Sequence, residues 1–230
     1  MLHSPVMEEY IKQLYQLEQK HSRRIRTTEV AEAVDRTEAS VSNMIQKLDD
    51  KGYADYKQYN GVILTEAGTE IALEVVRKHR LLETFLAEQL GVAWPDVHEE
   101  ADRLEHHIST EFTDRLADLL RNPRKDPHGE PIPASDLTFP TEASETGLTD
   151  CEVGDIRIID QVPHRQPAIR EYLFENDIDP GTAVEIEEIA PVGLVTITNQ
   201  QTDHAVSIPD RVARQIKVRS LPPKKERAVN

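Results

Sequence analysis

Apolar residues in the first part of the chain recur at helical spacing and then switch to alternation. Over residues 7–20, Met7, Tyr10, Ile11, Leu14, Tyr15 and Leu17 line one stripe of a predicted helix. Glu8 and Glu9 fall in its first turn, where carboxylates favour the helix dipole. A break over 22–26 leads to a short helix across 27–34, with Val30, Ala31 and Val34 inward and a threonine able to cap its start. After a turn at Asp35-Arg36, residues 37–51 predict a second helix with Val41, Met44, Ile45 and Leu48 buried, and Gly52 ends it as a left-handed cap would. Two short strands, 53–57 and 62–65, then flank Gln58-Tyr-Asn-Gly61, in which Asn60-Gly61 is a strong hairpin signal.

The remaining pattern is helical to about residue 121 and β-rich after 150. Residues 65–90 read as one long helix capped by Thr65, with Ile71, Val75, Leu82, Phe85 and Leu86 apolar. Trp94-Pro95-Asp96 reads as the start of a helix over Val97–Ile108. Residues 110–121 form another amphipathic helix, and its Phe112, Leu116, Leu119 and Leu120 exceed what one small domain needs, which points to a homodimer interface. Small and acidic residues over 134–149 read as a linker. Short runs at 155–159, 183–189, 193–198 and 205–208 read as strands, interrupted by a helix near 167–174 and closed by 212–218. Strands of this length with turns between them predict a small all-β barrel. The expected segments are therefore 1–65, 66–133, 134–149 and 150–221, with a disordered tail at 222–230.

A short helix, a tight turn, a second helix that opens on small polar residues and a hairpin together make a winged helix-turn-helix. The second helix of such a unit enters the major groove of double-stranded DNA. Thr37, Ala39, Ser42 and Asn43 would face bases, since Asn can pair with adenine and Ala or a Thr methyl can pack on thymine. Ser40, Lys47, Lys51 and Lys57 would hold phosphates. A helical structural or protein-binding module would show the same apolar pattern.

Charge narrows this picture without reversing it. A formal net charge of −15 excludes a non-specific nucleic-acid coat, but a local basic patch can persist in an acidic protein. An acidic composition also fits a protein adapted to high salt. Cys151 is the only cysteine, which rules out an intrachain disulfide and a thiolate zinc cluster. No run approaches a membrane span and the N-terminus lacks the pattern of a signal peptide, so a cytoplasmic protein is expected.

The candidate chemistry lies in Val97–Ile108. On a helix, His98, Asp102, Glu105 and His106 fall on adjoining strips of one face. Imidazole and carboxylate suit divalent first-row metals. A solvated acidic helix containing histidines would account for the same stretch. His79 and Glu83, one turn apart on the long helix, are in the same position: ligands or an ordinary surface pair.

From Met7 to Pro133 the chain resembles the DtxR/MntR family of metal-dependent transcriptional repressors. The matching segments are Met7-Glu-Glu-Tyr-Ile, Arg77-Lys-His-Arg-Leu-Leu-Glu83, Val97-His-Glu-Glu-Ala-Asp-Arg-Leu-Glu-His106 and Asp126-Pro-His-Gly-Glu-Pro-Ile-Pro133. The resemblance implies a mainly α N-terminal winged helix-turn-helix and a helical metal-binding and dimerisation domain. The segment after the linker resembles the SH3-like, FeoA-type domain of longer members. Residue by residue, His79, Glu83 and His98 match an ancillary metal site, and Glu9, Asp102, Glu105 and His106 match the sensing site. His164 and Gln166, ahead of the helix in the β-rich segment, are further ligand candidates, against a reading as solvent-exposed loop residues.

Two departures bear on the metal. Iron-type members carry Met and Cys where this chain has Glu9 and Asp102, and an all-oxygen-and-nitrogen site favours Mn2+, with Fe2+ next. Manganese-type members commonly carry a second N-terminal carboxylate where this chain has Lys12, so a binuclear arrangement does not carry over. The expectation is a homodimer that takes up to two Mn2+ or Fe2+ ions per subunit and binds a palindromic operator, repressing metal-uptake or homeostasis genes. It is expected to have no catalytic activity, no small-molecule substrate and no membrane partner. The rivals are a winged-helix regulator without a metal switch and a metallohydrolase.

Overall fold

A computed structural model describes residues 4–140 and 146–221, so the expected tail and part of the expected linker lie outside the described residues. The element order is α1 (Pro5–His21), α2 (Thr27–Ala33), α3 (Glu38–Asp50), β1 (Ala54–Lys57), β2 (Gly61–Leu64), α4 (Glu66–Leu90), α5 (Val97–Leu104) and α6 (Thr110–Leu119). There follow β3 (Ile156–Gln161), α7 (Pro167–Glu175), β4 (Ala183–Ala190), β5 (Leu194–Asn199), β6 (Ala205–Pro209), α8 (Asp210–Ala213) and β7 (Lys217–Ser220). Among the described residues no helix is long and apolar enough to cross a membrane.

Two compact units emerge. The first holds the chain up to Phe85 together with Glu99–Arg124 and Ile132–Phe139, and the second holds Leu86–His98, Lys125–Pro131 and the chain from Pro140. Compactness thus groups the winged helix with most of α4–α6, whereas the sequence pattern divides the chain at 65 and 133.

Local chemistry explains the element ends in the first unit. Ser4 caps α1 by accepting from Met7 N, Pro5 stands at its first turn, and Ser22 in the left-handed region (φ 51°) closes it. The expected threonine cap of α2 is not what forms. Arg26 takes the cap position, and the Glu29 carboxylate accepts from Arg26 N at 3.0 Å, which draws Thr27 and Thr28 into the helix. Thr37 caps α3 as expected, accepting from Ser40 N. Thr65 likewise caps α4, accepting from Gly68 N at 3.2 Å. At Gly68 any Cβ would come within 1.9 Å of the Tyr53 carbonyl oxygen, so glycine lets α4 pack against the chain entering the hairpin.

The wing differs from a two-residue Asn-Gly turn. Lys57 pairs with Gly61, leaving Gln58-Tyr59-Asn60 as the loop, with positive φ at Tyr59 (66°) and Gly61 (92°). The first unit's core joins Tyr10, Ile11 and Leu14 of α1 to Val30, Val41, Ile45, Leu48 and Val62. Burial of these side chains stabilises by about 1.5–3 kcal/mol each.

In the second unit β6-β5-β4-β3-β7 form one antiparallel sheet, so the expected small barrel takes the form of five ordered strands with β6 and β7 at its edges. Irregular register at Ile159/Gln161 and at Ile186/Glu188 bends the strands. Ile159, Leu173, Ile186, Ile197, Ile208 and Val218 fill the core. Leu148 is buried in the same core, and Thr146 O accepts from Val218 N, so the ordered β unit begins before residue 150 and the expected linker is shorter.

Candidate metal centre and nucleic-acid face

Helix α1 has two faces with different tasks. Met7, Tyr10, Ile11 and Leu14 belong to the winged-helix core, while Glu8, Glu9 and Lys12 meet side chains from the end of α5. Here the expected helix over 97–108 needs correcting. Helix α5 stops at Leu104, and Glu105 and His106 lie in the turn that follows. Ser109 begins a new helix by accepting from Phe112 N at 3.1 Å, so the chain has to turn between the two. Glu105 N still donates to Ala101 O at 2.9 Å, which holds its side chain against the helix end.

Glu105 is the hub, with no exposed surface. Its Oε1 accepts from Lys12 Nζ at 2.5 Å and lies 3.1 Å from His106 Nε2, while its Oε2 lies 2.6 Å from His79 Nδ1. Lys12 Nζ also reaches Asp102 Oδ1 at 2.9 Å and Glu9 Oε2 at 3.3 Å. The His106 ring is held from both sides, by Glu8 Oε2 on Nδ1 at 2.9 Å and Glu9 Oε2 on Nε2 at 3.3 Å. The other His79 nitrogen meets Glu83 Oε1 at 2.8 Å.

Electrostatics follow from this packing. Burial pushes the Glu9 carboxyl up, but the His106 hydrogen bond, the Lys12 charge and Gln13 outweigh it and hold the pKa near about 2. Glu105 is held well below the usual carboxylate range, burial being overcome by hydrogen bonds from His106 and His79 and by the Lys12 charge. Burial opposes the charge on both histidines, yet their carboxylate partners win. The His79 pKa is pushed up to about 10 and that of His106 to about 11.

Two overlapping donor groups result: Glu9, Glu105 and His106, and His79, Asp102 and Glu105, each with ligand atoms within 4.8 Å of one another. Oxygen and imidazole donors, without sulfur, fit a divalent first-row cation. Three residues of the expected sensing site, Glu9, Glu105 and His106, therefore converge, with Glu9 arriving from α1, while Asp102 groups with Glu105 and with His79, a residue expected in the ancillary site. Of the expected ancillary residues, His79 and Glu83 meet directly. His98 belongs to the second unit, where its ring lies edge-on to His164 at 5.3 Å between centroids.

His164 is buried, with its ring tilted against His128 at 4.7 Å, so the reading as an exposed loop residue fails for it. Gln166 is exposed at the cap of α7. His107 is exposed beside the cluster.

The eight residues expected to meet DNA are all exposed: Thr37, Ala39, Ser40, Ser42, Asn43 and Lys47 lie on α3 or its cap, Lys51 follows that helix and Lys57 ends β1. Thr37 Oγ1 is committed to its cap, and Lys57 Nζ lies 3.7 Å from Asp55. Sequence reasoning missed two residues of the cluster. Glu8 and Lys12 share the cluster; the three-residue spacing of Lys12 from Glu9 on one helix was an available signal, whereas Glu8, adjacent to Glu9, offered none.

Comparisons with known proteins agree with this architecture. The chain matches the iron dependent repressor N-terminal DNA binding domain over residues 3–62 and the iron dependent repressor metal binding and dimerisation domain over 65–134. It matches the FeoA domain over 146–220. The iron-dependent repressor IdeR of Mycobacterium tuberculosis is 30% identical over 230 residues, covering 93% of this chain and 96% of that protein. The transcriptional regulator MntR of Oceanobacillus iheyensis is 41% identical over 118 residues, 51% of this chain and 78% of the relative. Among solved structures, a manganese-dependent transcriptional repressor in complex with manganese superimposes with a TM-score of 0.83 at 30% identity, covering 94% of this chain and all of that one.

A winged helix whose first helix enters a carboxylate–histidine cluster, followed by a FeoA domain, defines a metal-dependent transcriptional regulator. The chain belongs to the DtxR/MntR family of metal-dependent repressors.

Proposed function

We propose that the chain acts in the cytoplasm as a homodimer that binds a palindromic operator when Mn2+, or Fe2+, is bound, and so represses genes of metal uptake or homeostasis. The observation that carries this reading is the meeting of Glu9 from α1 with Glu105 and His106 at the end of α5. Glu9, Asp102, Glu105 and His106 would hold the effector ion. His79, Glu83 and His98 would hold an ancillary one, giving up to two ions per subunit, with His164 or Gln166 as added donors. A bound divalent cation would supply positive charge that draws repelling carboxylates together.

What the protein contributes is linkage. The apolar face of α1 is part of the core that positions α3, so whatever fixes Glu9 against the α5 turn also fixes the recognition helix. In a dimer that fixes the separation of two α3 helices, which must match successive major grooves about 34 Å apart. Fluorescence anisotropy on a palindromic duplex tests the proposal. Mn2+ or Fe2+ should tighten binding and EDTA reverse it, with strong salt dependence. Specific binding that EDTA leaves unchanged would remove the switch.

A further inference from the structure

The β1–β2 hairpin is held along both of its edges by the body of the winged helix. Alternate residues of an antiparallel pair turn their amides away from the partner strand, and Tyr56, Val62 and Leu64 do so here. On β1, Tyr56 N donates to Oδ1 of Asp49, in the last turn of α3, at 3.0 Å. On β2, Val62 N donates to Ile25 O at 2.9 Å, and Leu64 N donates to Oε1 of Glu18, on α1, at 2.6 Å. Each helix thus gives a carboxylate to one edge of the hairpin, and an ionised acceptor makes such bonds short and strong. We infer that the hairpin is a strap between α1 and α3, with Glu18 the positioning residue through which the placement of α1 reaches the recognition helix.

This rests on the metal-switch reading above and gives it a second route, polar where the first runs through the apolar core. Glu9 and Glu18 lie on one helix, about 14 Å apart along its axis. An ion that fixes Glu9 therefore fixes the position of Glu18, and with it the Leu64 amide. The hairpin passes that position on as one body, because Ala54 pairs with Leu64 and Tyr56 with Val62. Its seat is close: a Cβ at Gly61 would come within 2.5 Å of the Ile25 carbonyl oxygen. Apolar side chains can slide past one another, whereas a hydrogen bond weakens steeply once its angle is lost. The two carboxylate–amide bonds are thus the points at which a shift of α1 acts on α3 in a defined direction.

A contact that only satisfied an amide would serve the fold equally with and without metal, so the test reads coupling. DNA affinity is measured by fluorescence anisotropy in Mn2+ and in EDTA for wild type, Glu18→Gln, Glu18→Ala, Asp49→Ala and the double alanine variant. Mn2+ affinity of the DNA-free proteins is measured by electron paramagnetic resonance of the free ion. Glu18→Ala should cut the Mn2+-dependent gain in DNA affinity by about tenfold and leave Mn2+ affinity of the DNA-free protein unchanged. Glu18→Gln keeps an acceptor oxygen and should keep most of the gain. Asp49→Ala should lower the gain similarly, and the double variant should lose no more than either single one, because both interrupt one path.

Equal loss of DNA affinity with and without Mn2+ in Glu18→Ala would reduce the contact to a support of the fold and overturn the assignment, as would additive losses in the double variant. Amide exchange in the wild type decides the matter even if the alanine variants do not fold. Mn2+ should slow exchange at Leu64 more than at Val62, whose amide is held by Ile25 and not by α1. Equal slowing at the two amides would overturn the assignment. A wild type whose DNA affinity is the same in Mn2+ and in EDTA would instead overturn the metal-switch reading on which it depends.

Discussion

At the scale of single residues, Glu105 carries the largest burden, because its burial leaves Lys12 and His79 dependent on it for compensation. Removing one partner of a buried charge network costs about 3–5 kcal/mol. Glu105→Ala should therefore lower stability by that order in chemical denaturation and abolish metal-stimulated DNA binding, while His106→Ala should abolish the stimulation and leave the dimer. Full activation in both variants would mean that the effector binds elsewhere. The histidines also set a pH dependence. Their folded pKa values, about 10 for His79 and about 11 for His106, are raised. Protonation thus stabilises the metal-free fold fully below their ordinary value of about 6.5, and that contribution is lost as pH rises towards 10–11. The lowered carboxyls act oppositely: the Glu9 contribution is present above about 4.5 and is lost as pH falls through about 2. The denaturation midpoint of metal-free protein should accordingly decline from neutral to strongly alkaline pH, while Mn2+ affinity rises as the competing protons leave. A flat midpoint across that range would show that the rings are not held protonated.

At the scale of elements, the proposed function gives α3 two kinds of contact, with bases and with phosphates, from different positions on one helix. Asn43→Ala should relax base preference with little loss of non-specific binding. Lys47→Ala should weaken binding to all sequences and reduce the salt slope by about one unit. A selection experiment on randomised half-sites, run at two salt concentrations, distinguishes these outcomes, and equal effects of the two variants on preference would reject the proposed division. Apolar spacing was enough to locate α1, α3 and α4, because each buries one stripe and begins with a side-chain cap. It failed where local hydrogen bonding competed. Periodicity in 97–108 does not reveal that Ser109 starts a new helix and forces the turn that presents Glu105 and His106. Asn60-Gly61 signals a hairpin without fixing its register, and the positive-φ positions turn out to be Tyr59 and Gly61 instead of Asn60 and Gly61. Helical spacing marked Asp102, Glu105 and His106 as ligand candidates, but Glu9 was joined to them only through the family resemblance. Lys12 and Glu105 lie 93 residues apart, and no spacing rule joins them, which is why Lys12 read as a departure instead of a participant.

For the whole molecule, the question is what converts one ordered α1 into a distance between two recognition helices. That conversion needs a second copy, and α6 offers a surface for it. Leu116 and Leu120 are buried within the chain, whereas Phe112 and Leu119, seven positions apart on the same strip, are 50% and 60% exposed. Exposed aromatic and aliphatic side chains aligned on one helix face fit a self-complementary interface, in which the same patch serves both subunits. The high negative charge, −15 per chain, opposes association at long range, so the contact must gain its stability from apolar burial and should strengthen as salt screens the repulsion. Leu119→Glu should therefore shift the protein from dimer to monomer in sedimentation, most completely at low salt. Ion binding to Glu9, Glu105 and His106 should survive, since those donors come from one chain. Affinity for a two-half-site duplex should fall by more than tenfold, while affinity for a single half-site should change little, because each α3 is intact. A Leu119→Glu protein that remains dimeric would move the interface off α6. One that is monomeric yet binds the full operator at wild-type affinity would show that helix spacing is not what the metal controls.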